Sequence, residues 1–427
     1  MKSRLLLILS ILSISFCAHA DIPQKNCIAL QLRNVGAEAE LGAKRRELLQ
    51  QFIDFVKTHE PGKKQALARA LMLKAQEILT REGTVWMPTD DPLVILISPL
   101  ESGGSQLNRF AHGLRKRNHR VSLKLNLSEL EDGGAAFERR PGVTQETEIW
   151  LPVHILTDPK DGIPIAAHEA LHARIWANIL DKKDWFPSGR LNLQLEGDRA
   201  SVDLEELLTE PYELRLYAMK EMTQNATDGW VPKTRIPRLM EYIRDRSAIT
   251  KHVLANWVKT LEPLSNKFDF QGWTIVRRNQ LIGGRSTPVT GLQSPSGKQM
   301  ISFHSGPPPF QAAKASSRDS VIYVNLATES SSVELWMADA DIFERAMAWL
   351  QKASASGHST MDEATFLEFS TALLRPVEQR LMKLHAIANA NLEFTGKMTR
   401  ALSQNDSGKI AVFSREMLKQ IYSVLGK

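Results

Sequence analysis

Cysteine is scarce in this sequence: of 427 residues only two are cysteine, Cys17 and Cys27. Cys17 lies in an N-terminal apolar run that reads as a removable leader, so Cys27 alone remains and no intrachain disulfide is possible in the mature chain. That excludes the class of exported proteins knit by disulfides, and stability has to come from a buried apolar core. A second long apolar run is also missing. After the leader no stretch reaches the roughly 20 residues that a membrane helix needs, so no membrane span is expected in the mature chain. Nor is there an excess of one charge. Lys and Arg number 54 against 48 Asp and Glu, and the formal net charge of +6 drops to +4 without Lys2 and Arg4. Over this length that is too mild to point to nucleic acid. No repeat of fixed period is present, which argues against a stacked-repeat architecture.

The N-terminus carries a definite pattern. Met1-Lys2-Ser3-Arg4 is basic, residues 5–16 are apolar, and Ala18-His19-Ala20 supplies small residues before Asp21. Such an order describes a secretory signal peptide cleaved after Ala20. A lipoprotein site at Cys17 fits less well, because bulky Phe16 precedes it. Export of a large chain without disulfides looks bacterial, so the expected location is the periplasm or the medium.

Hydrophobic periodicity divides the rest into four segments, and their mixture makes α+β the expected class. Residues 21–84 read as a helical lead-in. One helix over 37–60 carries Leu41, Leu48, Leu49, Phe52, Ile53 and Val56 and ends at Pro61-Gly62; a second over 64–81 carries Leu67, Leu71, Ala75, Ile78 and Leu79 and is closed by Gly83. Residues 85–262 read as a unit of mixed strands and helices. Strands are expected at 92–98, 121–127 and 148–156, followed by a turn at 158–162 and by Pro164 in the first turn of a helix. The basic cluster at 109–120, with His112 and His119, reads as a solvated loop. A helix over 232–261, with Leu239, Tyr242, Ile243, Val253, Leu254 and Trp257 as core, is placed to buttress whatever precedes it. Residues 263–340 show short strands, such as 273–276 and 321–324, and a stiff proline loop at 305–310. Residues 341–427 return to helices at 342–350, 365–387 and 414–425, with Pro376 expected to break or kink the second.

The chemistry concentrates in Ile165-Ala166-Ala167-His168-Glu169-Ala170-Leu171-His172-Ala173-Arg174, which contains the pattern H-E-x-x-H. Residues four apart share a helix face, so His168 and His172 can aim their imidazoles at one metal ion with Glu169 beside them. The uncharged neighbours suit a helix buried beneath a cleft.

A catalytic zinc site uses three protein ligands and leaves one position for water, so a third ligand is required. The next acidic helical stretch is Asp203-Leu204-Glu205-Glu206-Leu207-Leu208-Thr209-Glu210. Glu206 is the choice, with Glu205, Glu210 and Glu213 as alternatives. If Glu206 faces the metal, Glu210 lies one turn further on the same face and can accept a hydrogen bond from the distal nitrogen of a ligating histidine. An oxyanion formed in hydrolysis would need a donor. Tyr212, Tyr217 and His252 lie downstream, and Tyr217 is the choice.

These residues resemble the gluzincins, zinc peptidases that pair an H-E-x-x-H helix with a downstream Glu on a second helix. The resemblance covers about residues 148–220 and implies a zincin-like catalytic unit that binds Zn2+. It implies His168, His172 and Glu206 as ligands, Glu169 as general base, and Glu210 as support for the first histidine. It further implies an edge strand, which 148–156 could supply, that pairs with an extended peptide substrate. The acidic stretch departs from thermolysin-like members, which open with Asn-Glu and end in Asp. Residues 173–179 offer no third histidine of the metzincin kind, and no G-x-M-E-N-like element is present, so the family within the group stays unassigned. The expected function is that of an exported zinc metallopeptidase acting on peptides, proteins or cell-wall peptide. The alternative is a non-catalytic periplasmic binding or scaffold protein that retains a zincin-like fold.

Overall fold

Pro61 and Gly83 bracket the second of two antiparallel helices, α1 (Gln24–Lys57) and α2 (Pro61–Arg81). The proline opens α2 rather than merely stopping α1, because a missing N–H costs nothing in a helix's first turn. Gly83 takes φ +68° just past the last turn, the left-handed conformation in which glycine ends helices. The computed structural model describes residues 24–97, 120–127, 136–139, 146–156, 159–180, 190–195, 198–221, 232–266, 274–282, 285–297, 300–305, 322–327, 331–337 and 375–425, with positions 348 and 371. The expected signal peptide, nearly all of the basic cluster, the proline loop past 305, and all but one position of the helix expected at 342–350 lie outside the described residues.

Leu48, Phe52 and Phe55 of α1 meet Leu71, Met72, Ala75, Ile78 and Leu79 of α2 in one buried cluster. That cluster lies on a five-stranded sheet of order β1-β2-β3-β5-β4: β1 (Trp86–Pro88), β2 (Val94–Ile97), β3 (Arg120–Asn126), β4 (Ala136–Arg139) and β5 (Glu146–Pro152). Ile95, Ile97, Leu125, Ile149 and Leu151 supply the strands' share of the core. Only β3 and β5 run parallel. The stretch expected at 148–156 is therefore not an edge strand: β5 is flanked by β3 and β4, and it gives way to a tight helical turn at Val153–Leu156. The edge beside the next helix is β4.

That helix, α3 (Pro159–Leu180), carries the H-E-x-x-H pattern. It begins within the expected turn, with Pro159 as its first residue and Pro164 buried inside it rather than in its first turn. Ala173 belongs to the apolar cluster and Ala170 packs against it, so α3 is seated on the same core as α1 and α2.

A second sheet of seven strands follows, all antiparallel, of order β7-β6-β12-β11-β10-β9-β8. Its members are β6 (Arg190–Leu195), β7 (Asp198–Asp203), β8 (Thr274–Ile282), β9 (Arg285–Gln293), β10 (Met300–Ser305), β11 (Ile322–Ala327) and β12 (Ser331–Met337). Because β6 pairs with β12, a boundary near residue 262 would cut through this one sheet. The edge strand β7 leads into α4 (Glu206–Glu221).

α4 contacts α3, α5 (Pro232–Asn266), α6 (Arg375–Ser403) and α7 (Ser407–Val424). Of the core expected in α5, Leu239, Ile243, Val253, Leu254 and Trp257 are buried, but Tyr242 is 54% exposed. Pro376 is the second residue of α6 as described, and of the preceding stretch expected to be helical, residues 365–374, all but position 371 lie outside the described residues. Pro211, inside α4, does remove an N–H that would have bonded to the Leu207 carbonyl. The buried Asn391 of α6 replaces it, donating from Nδ2 to Leu207 O at 2.8 Å. The architecture is α+β, and among the described residues no helix is long and apolar enough to cross a membrane.

Candidate metal centre

The facing sides of α3 and α4 bring three of the expected ligands together. His168 and His172, one turn apart, have ring centroids 4.9 Å apart and Nε2 atoms 3.1 Å apart. Glu206, the first residue of α4, extends Oε2 to 3.3 Å from His168 Nε2 and Oε1 to 3.3 Å from His172 Nε2. Atoms held tetrahedrally at zinc's usual bond lengths stand about 3.3 Å apart, so these spacings match the edges of such a site.

Each ligand is also held from behind. His172 Nδ1 lies 2.9 Å from Glu205 Oε2, and His168 Nδ1 lies 2.8 Å from Glu213 Oε2. The second carboxylate lies off the line of a ring N–H, so that contact is ionic rather than an aligned hydrogen bond. Thr209, fully buried, donates its hydroxyl to Glu206 Oε2 at 2.8 Å. With a carboxylate at each Nδ1, a neutral imidazole would carry its proton there and present the Nε2 lone pair to an ion, the tautomer a metal requires. Two such lone pairs and a carboxylate converging on one point repel one another unless a cation lies among them. The donor set therefore fits a metal ion.

The ionisation behaviour of the residues says the same. Burial alone would lower the pKa of His168, but Glu206, Glu213 and Glu169 outweigh it and push it up to about 10. His172 is likewise driven well above the usual histidine range, with Glu205 and Glu206 overcoming burial. Burial would raise Glu206, yet the two histidines hold it well below the carboxylate range. Without a metal, protons supply the positive charge that this cluster demands. Glu169 goes the other way: burial raises it against the pull of the histidines. Its Oε1 stands 4.0 Å from His168 Nε2, beside the convergent atoms rather than among them.

Two expected roles fall elsewhere. Glu210 does not support a histidine. Its carboxylate is held at both oxygens by Arg246 of α5, Nε to Oε2 at 3.2 Å and Nη2 to Oε1 at 3.1 Å. The reason is helix phase: four residues past Glu206 is about 40° off its face, whereas seven residues returns to within about 20° of it. Glu213 therefore takes the place expected for Glu210. Tyr217, expected as oxyanion donor, is 1% exposed and its hydroxyl has no hydrogen-bond partner among the described residues. Burial raises its pKa, and the charges acting on it are those of Glu213 and Arg235, not of the ligands. It is buried within the packing of α4. His252 is exposed on α5. Sequence reasoning passed over Thr209, Arg235 and Arg246, although the spacing from Glu206 to Glu213 could have pointed to the second carboxylate.

No protein-family model, no curated protein and no solved structure matches the chain. The centre therefore stands on its own geometry: His168, His172 and Glu206 form a group close enough to bind a metal, and the group by itself does not specify which metal.

Proposed function

We propose that this protein is an exported zinc-dependent hydrolase of the gluzincin type, most specifically a metallopeptidase. The observation that carries the reading is the convergence of His168 Nε2, His172 Nε2 and Glu206 while a carboxylate occupies each histidine's Nδ1. His168, His172 and Glu206 would hold the ion. Bound zinc supplies Lewis acidity and brings the pKa of a water in its open position down towards neutrality. Glu169 is the general base. Its burial raises its pKa, so it can hold a proton taken from the attacking water and return it to the leaving amine. The edge strand β4, next to α3, offers backbone groups for an extended peptide to pair with, the part first assigned to 148–156. The signal-peptide pattern at the N-terminus supports a substrate outside the cytoplasm, among peptides, proteins or cell-wall peptide.

Glu169→Gln tests the mechanism. It should retain zinc and lower peptide hydrolysis by about 10²–10⁴-fold, as loss of a general base does. Hydrolysis at the parent rate would contradict the assignment. Zinc retained by a parent that cleaves neither peptides nor cell-wall crosslinks would favour a non-catalytic binding protein built on the same site.

A further inference from the structure

α5 grips α4 with two arginines, and the two grips differ. Arg235 and Arg246 are eleven residues apart, about three turns, and so share a face of α5. Arg246 spreads over both oxygens of Glu210. Arg235 places Nε at 3.1 Å and Nη2 at 2.8 Å on a single oxygen, Oε1 of Glu213. The other oxygen of that carboxylate, Oε2, lies 2.8 Å from His168 Nδ1. Glu213 is 1% exposed, so its carboxylate has no water shell to orient it. One oxygen is anchored by the guanidinium and the other is thereby held against the imidazole.

Resting on the metal-site reading above, we propose that Arg235 is a positioning residue of the metal centre, acting through Glu213 on His168. Arg246 and Glu210 are its built-in control: the same residue types, the same pair of helices, but no imidazole at the far end. If Arg235 merely joined α5 to α4, losing either arginine would have the same consequence. If it tunes the ligand, only Arg235 should alter the metal. The forked two-nitrogen contact is one that lysine cannot reproduce, although lysine keeps the charge.

The test uses the full mature chain. Zinc affinity is measured by competition with a chromogenic chelator, and the visible absorption of the cobalt(II)-loaded protein reports the ligand field. R235Q should bind zinc about tenfold more weakly, within the range seen when the partners of ligating histidines are removed, and should shift the cobalt bands. R235K should recover part of the loss. R246Q should change affinity by less than about threefold and leave the bands in place. E213Q should weaken binding about 10–100-fold, and adding R235Q to it should cause no further loss. Equal losses for R235Q and R246Q, or fully additive losses in the double variant, would overturn the proposal. If R235Q does not fold, R235K compared with R246K decides in the same way. A parent that takes up neither zinc nor cobalt overturns the metal reading and this inference with it; a parent that binds metal beside an unaffected R235Q overturns only the role of Arg235.

Discussion

The helices α1 and α2 and the helices α3 and α4 are both packed pairs, but only the second buries a set of charged and polar side chains among its apolar ones. Between α1, α2 and the first sheet lie Leu48, Phe52, Phe55, Leu71, Ile78 and Leu79, while the charges stand outside as pairs such as Lys74–Glu47 and Arg81–Glu40. Between α3 and α4 the buried set includes Glu169, His172, Glu205, Thr209 and Glu213. Apolar burial accounts for the first pair, since each large side chain contributes about 1.5–3 kcal/mol. It does not account for the second, because burying an ion costs several kcal/mol even before it finds a partner. Stability alone would fill that contact with leucine. The carboxylates at both Nδ1 atoms, and the arginines behind two of the glutamates, show a contact shaped around positive charge.

Four perturbations sharpen this contrast, in falling order of effect. Phe52→Ala should cost about 3–5 kcal/mol in denaturant unfolding and leave metal content untouched, because it empties the apolar region alone. Removing zinc with a chelator should destabilise the parent by about 2.7 kcal/mol when free zinc had stood at a hundred times its dissociation constant, and should do nothing to His168→Ala. An equal response in the variant would mean that zinc stabilises from some other place. The chelated protein should then lean on protonated histidines. His168 rises from an ordinary 6.5 to about 10 on folding, so its contribution is complete below pH 6.5 and fades as the pH climbs towards 10. Thermal melts of the chelated protein across that window should show the decline, and a flat profile would contradict it.

The third perturbation concerns the frame around the site. Asn391→Ala should cost about 1–3 kcal/mol by leaving the buried Leu207 carbonyl unpaired, and Pro211→Ala should recover much of it by restoring the helical N–H. A loss that persists in the double variant would place the role of Asn391 elsewhere. The smallest effect belongs to the surface of the apolar pair. Lys74→Gln removes a contact to Glu47 at 2.9 Å and should change unfolding by less than about 1 kcal/mol.

The helix of the H-E-x-x-H pattern was legible from sequence because its information is local: His168 and His172 declare their shared face by spacing alone, and an acidic stretch downstream points to Glu206. The partners of those ligands were not legible. Whether Glu210 or Glu213 reaches His168 depends on the rotation of α4, and the partners of those two carboxylates, Arg246 and Arg235, come from a helix that begins beyond the stretch read as the site. Proline was read too locally: Pro61 opens α2 as well as following α1, and Pro164, expected in a first turn, lies inside α3. The second sheet shows the same limit. Alternation in Arg190-Leu191-Asn192-Leu193-Gln194-Leu195 could have marked β6, but polar β7 carries little signal, and the pairing of β6 with β12 joins stretches more than a hundred residues apart.

The most direct test of the central claim is the metal content of the purified mature chain beside His168→Ala, read by elemental analysis after both have been equilibrated with zinc and freed of excess. The account predicts stoichiometric zinc in the parent and little in the variant. A parent that remains folded and zinc-free under those conditions, or a variant that keeps its zinc, would contradict it.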